Sequence, residues 1–66
     1  MKVNKLNLAI AMAKKDWNFS KLSEMCGISR PTLSNLNLGK ECKPQTFIKI
    51  ARALEVEPYE IVEQKE

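Results

Sequence analysis

Arg30 and Asn35 are the side chains of this sequence best suited to directed hydrogen bonding. Arginine donates two parallel bonds to O6 and N7 of a guanine, and asparagine pairs with N6 and N7 of an adenine; each pair discriminates against a wrong base by about 1–3 kcal/mol. The hydroxyls of Ser29, Thr32 and Ser34 lie close by in sequence and can serve base edges or phosphate oxygens. Lys40 and Lys43 follow, and lysine neutralises phosphate. This is recognition rather than bond breaking. The chain has no histidine, no glycine-rich phosphate loop and no carboxylates paired on one helix turn, so an enzyme is not expected. The plainer alternatives are that Arg30 touches phosphate only and that Asn35 is a solvated helix residue.

Such side chains must be held by a rigid element, and residues 20–40 supply one. On a helical wheel Leu33 and Leu36 share one face, while Pro31, Ser34, Asn35 and Leu38 lie roughly opposite and Arg30 sits at the flank. The leucines anchor; the other face is free. Two helices begin alike: Trp17-Asn18 precedes the first and Ile28-Ser29 the second, with Leu22 and Leu33 four residues beyond each polar residue. Each pattern is an N-cap with a hydrophobic staple. Between them Gly27 takes the left-handed backbone that ends one helix and turns toward the next. The stretch reads as a helix-turn-helix, whose second helix suits the major groove of duplex DNA.

Around this unit the pattern predicts three further helices and an all-α bundle. A first helix over about 4–15 takes its apolar stripe from Val3, Leu6, Ile10 and Ala13, with Ala9 alongside, and closes on Lys14 and Lys15. The motif helices span about 19–26 and 30–38, with Gly39 as the second left-handed stop. Pro44 opens a fourth helix, over about 45–54, with Phe47, Ile50, Ala51 and Leu54 inward. Pro58 opens a last one over 58–63 that returns Ile61 and Val62 to the core, and residues 63–66 are expected to fray. Trp17 and Tyr59 are expected in or near the core rather than as stacking platforms.

A chain of 66 residues is read as one domain, 1–66, hiding only about 60% of its unfolded surface. Residues 1–54 carry ten Lys or Arg against three Asp or Glu; residues 55–66 carry one against five. A basic body with an acidic tail suits a polyanion on one face, although an unevenly charged surface would look the same. Cys26 and Cys42 lie far apart, and without histidine they make no zinc site. Cys26 is expected in the core and Cys42 in a loop, as a reduced cytosolic pair in preference to a disulfide. Residues 2–13 superficially resemble a secretory signal, but Asn7 interrupts the apolar run, and cleavage would remove a needed helix. No run reaches the roughly 20 residues of a membrane span. A cytoplasmic protein without cofactor, metal or small-molecule ligand is expected.

Residues 6–62 resemble the helix-turn-helix domain of the Cro and phage-repressor type, the lambda-repressor-like Xre family. The matching pieces are Gly27-Ile28-Ser29-Arg30, Thr32-Leu33-Ser34, Leu36-x-x-Gly39-Lys40 and Ile50-Ala51-Arg52-Ala53-Leu54-Glu55-Val56. The resemblance implies a compact five-helix bundle that binds operator DNA as a symmetric dimer, with the third helix in the major groove. Its base-reading positions fall on Arg30, Pro31, Ser34 and Asn35, with Thr32 beside them. Its phosphate contacts fall on Asn18, Phe19 and Ser20, on Ser29, and on Lys40 and Lys43 of the following loop.

Four departures stand out. Asn18-Phe19 replaces a common Thr-Gln pair: Asn18 still caps, but the Phe19 side chain cannot donate. Pro31 limits any base contact to shape or a thymine methyl. Leu38 replaces a frequent asparagine and points outward, to pack on the loop or to make an apolar contact with another subunit or protein. Glu55 stands where glycine is common, at a conformational cost if the backbone there is left-handed. The leading expectation is a sequence-specific regulator of transcription, a small repressor. The alternative is an antitoxin-like protein-interaction adaptor that keeps the fold with weak or no operator binding.

Overall fold

Five helices follow one another in the computed structural model, which describes residues 1–63. They are α1 (Lys5–Lys15), α2 (Phe19–Cys26), α3 (Arg30–Asn37), α4 (Pro44–Leu54) and α5 (Pro58–Ile61). Local chemistry sets their starts. The side chains of Asn4 and Asn18 each accept a backbone N–H one turn on, from Asn7 and Lys21, both at 2.9 Å. The α3 cap, Ser29, accepts from Thr32 N–H at 3.4 Å. Proline takes the first position of α4 and α5 after extended Lys43 and Glu57, where its missing N–H forfeits no helical bond. Gly27 and Gly39 turn with φ of 74° and 97°, and Asp16 and Glu55 adopt the same left-handed region at 61° and 57°.

The core is assembled around Leu22, Phe47 and Ile50, all fully buried, with Leu8, Leu33, Leu54 and Ile61 around them. The α2 helix packs on α3 and α4, and α1 lies across α4 and α5. Cys26 is buried and Cys42 half-buried, and both are free thiols. Burial pushes the Cys42 thiol above its ordinary range, against the pull of the nearby N-terminal ammonium.

The inward face of α1 differs from the expected stripe. It is formed by Leu8, Ala11 and Met12, while Leu6 is 68% and Ile10 47% exposed, and Ala9 and Ala13 also face out. The helix has apolar residues on two opposite faces, so period alone cannot choose between them. Val3 continues the outward stripe by spacing, but it is not helical. It is buried in an antiparallel bridge with Val62, flanked by backbone bonds from Asn4 N–H to Ile61 O (2.7 Å) and from Glu63 N–H to Lys2 O (2.9 Å).

The same strap ends α5 at Ile61 rather than residue 63, because Val62 turns extended to make the bridge. Glu63 is tied by its N–H rather than frayed; residues 64–66 lie outside the described residues. Tyr59 is 67% exposed, contrary to expectation, since four-residue α5 buries only Ile61. Trp17 is half-buried against the core.

Candidate nucleic-acid interface

The face of α3 is created by its anchors. Leu33 and Leu36 are 1% and 4% exposed, and the side chains on the remaining arc, Arg30, Pro31, Thr32, Ser34 and Asn35, are all exposed. Leu38, just past the helix, is 73% exposed. At the N-terminus of α3 the Ser29 hydroxyl donates to the Thr32 hydroxyl at 2.8 Å, so those two oxygens are partly committed to the cap. The Thr32 hydroxyl donates to no partner among the described residues. Arg30, Ser34 and Asn35 make no side-chain hydrogen bond among the described residues.

The turn before α3 is braced twice. Gly27 N–H donates to Ser23 O at 2.9 Å, and the Ser23 hydroxyl donates to Ile28 O. Ile28 itself packs against the core, so its contact with the anchoring layer holds the angle between α2 and α3. The outward face of α3 is therefore presented by a rigid unit.

The candidate phosphate contacts divide into two groups. At the start of α2, Asn18 and Ser20 are exposed. The Oδ1 of Asn18 is taken by the cap, which leaves its amide N–H groups to donate. Phe19 is half-buried with its ring against the core, so its only outward donor is the backbone N–H in the first turn. After α3, Lys40 and Lys43 are exposed, and Lys40 N–H ties back to Asn35 O at 3.2 Å. Between residues 25 and 54, Glu41 is the one acid among five Lys or Arg.

Residues 1–4 bear on this site, and the sequence carried no signal of it. Cys42 N–H donates to Met1 O at 2.8 Å, so the strap that pairs with Val62 also holds the loop carrying Lys40 and Lys43. Non-helical backbone pairing over this separation leaves no period to read. Among the described residues no cluster of three His, Cys, Asp or Glu could hold a metal, and no helix is long and apolar enough to cross a membrane.

A second helix presented at a fixed angle, polar on its free face and followed by a basic loop, defines a helix-turn-helix DNA-binding domain. Residues 7–65 match the model of the Cro/C1-type HTH DNA-binding domain, and the chain belongs to that family. Among solved structures it is similar to one described as Phpd with cadmium complexed with hydroethylphosphonate, with a TM-score of 0.84 at 21% identity. That match covers 100% of this chain and 14% of the other, and the likeness is one of fold. No curated protein sequence is significantly similar to this chain.

Proposed function

We propose that this DNA-binding domain acts as a sequence-specific transcriptional regulator, a small repressor that occupies its operator as a symmetric dimer with α3 in the major groove. The observation that carries the reading is the division of α3 into a buried leucine face and an exposed arc. Arg30 and Asn35 read bases there, Ser34 and Thr32 add polar contacts, and Pro31 contributes shape or a thymine-methyl contact. Asn18, Ser20, the Phe19 backbone N–H, Ser29, Lys40 and Lys43 hold phosphates and set the register. The protein is read as a cytoplasmic regulator without catalytic activity.

An adaptor function is the second reading, favoured by exposed Leu38 at the end of the same helix. It is weakened by Phe19, which is half-buried against the core rather than exposed beside Leu38. Selection from a random duplex pool at low and physiological salt separates the two. A half-site repeated with two-fold symmetry supports the dimeric regulator. Absence of enrichment at both salts supports the adaptor.

A further inference from the structure

The loop that carries Lys40 and Lys43 is held by three different elements. At one end Lys40 N–H donates to Asn35 O of α3 at 3.2 Å, and at the other Lys43 O accepts Phe47 N–H of α4 at 3.0 Å. Of residues 41–43, only Cys42 has a bonded backbone N–H among the described residues, and its acceptor is Met1 O at 2.8 Å. Met1 N donates back to Cys42 O at 3.3 Å. The Cys42 side chain packs against the core, so core contact holds its side chain and the strap of residues 1–4 holds its backbone.

The strap can hold the loop because it is itself anchored. Val3 is 4% exposed, and the bonds on either side of its bridge to Val62 tie Lys2 to Glu63 and Asn4 to Ile61. The Asn4 side chain then caps α1. Strap, loop and the end of α5 therefore form one hydrogen-bonded block. Lys2, Glu41 and Glu63 line a common concavity, which sets the only acid of the basic loop beside the strap.

We propose that Val3 is a positioning residue for duplex binding: by seating the strap it fixes the backbone between Lys40 and Lys43, so that both ammonium groups meet the phosphate backbone from an ordered loop. This role rests on the DNA reading above, to which it adds the element that orders the phosphate contacts. A loop ordered before binding loses less conformational freedom when phosphate is engaged. Phosphate contacts carry no sequence information, so releasing the strap costs affinity on every duplex and leaves base preference unchanged.

Val3→Ala is titrated by fluorescence anisotropy against a labelled mixed-sequence duplex and against the duplex recovered by selection. Both affinities should fall about three- to tenfold with their ratio unchanged, while circular dichroism shows a folded chain at the titration temperature. Val3→Ile, which refills the site, should bind as the unsubstituted chain does. In a chain already carrying Lys40→Ala and Lys43→Ala, Val3→Ala should change affinity by less than about twofold, because the strap then has no lysine to position; a general loss of stability would persist in that background. Val62→Ala, at the half-buried other side of the bridge, should reproduce the pattern and decides the matter if Val3→Ala does not fold. Undiminished binding by the folded strap variant, an altered ratio between the two duplexes, or an equal loss in the lysine-substituted background overturns the inference. The unsubstituted chain separates the two readings: if it binds neither duplex, the DNA reading fails and this role with it, whereas binding that the strap variants retain in full refutes this role alone.

Discussion

Asn35 and Lys40 are joined through the backbone, yet the proposed DNA complex gives their side chains different tasks. In the proposed complex Asn35 reads a base edge, so Asn35→Ala should weaken specific binding by about 1–3 kcal/mol and relax preference at one or two base pairs. In the same proposed complex Lys40 meets phosphate, so Lys40→Ala should weaken all duplexes alike and reduce the salt slope by about one. Titrations of matched and scrambled duplexes over a salt series measure both, and equal losses on the two duplexes for both variants would refute the assignment. Glu55 shows a different compromise. Its backbone is left-handed, a conformation costly to a side-chain-bearing residue, while its carboxylate bonds Lys15, whose ammonium also lies 5.6 Å from the Trp17 ring. That hydrogen bond, and then the Lys15 charge, hold the Glu55 carboxyl below its ordinary range. With the folded value depressed, the pair supports the fold above the ordinary carboxylate range and is lost as pH falls through the lowered value. Glu55→Gln should therefore flatten the acid limb of the melting midpoint against pH, by a small amount because both partners reach solvent. At high salt, where the pair is screened, Glu55→Gly should raise the midpoint.

At the level of elements, stability is divided between caps and inward faces. Asn18→Ala and Ser29→Ala each remove the side-chain acceptor that starts a motif helix, and each should cost about 1 kcal/mol in denaturant unfolding. The two faces of α1 give a sharper contrast. Leu8→Ala empties a site that is 1% exposed and should cost about 2–5 kcal/mol. Leu6→Ala, two residues away, should change stability by no more than about 0.5 kcal/mol. The reverse order would mean that α1 is rotated and that its outer stripe is core.

At the level of the whole molecule, residues 1–4 join parts that the helical pattern leaves separate. They pair with Val62 and Glu63 after α5 and with Cys42 in the loop between α3 and α4. Deleting residues 1–3 removes buried Val3 and these bonds, and should cost about 1–2 kcal/mol. Amide exchange should then quicken at Cys42 and Glu63 while Leu33 and Ile50 stay protected. Unchanged exchange at Cys42 would show that the loop carrying Lys40 and Lys43 is held without the strap. Charge is also organised at this scale, since ten of the eleven basic residues lie before residue 55 and five of the eight acidic ones lie from residue 55 onward.

Whatever depends on neighbours within four or five residues was written in the sequence. The Asn18 and Ser29 caps, the Gly27 turn, the proline starts and the inward Leu33, Leu36, Phe47, Ile50 and Leu54 follow from hydrogen bonds and side-chain periods internal to one element. The exposed arc of α3 was legible for the same reason, because once two leucines are anchored the opposite residues face outward. Tertiary structure alone decided which side of α1 turns inward, where α5 stops and that Tyr59 stands in solvent. Both stripes of α1 are apolar, so the choice rested on contacts with α4 and α5, some forty residues on. The bridge of Val3 to Val62 is likewise a pairing between distant backbones, and it has no signature in either segment read by itself.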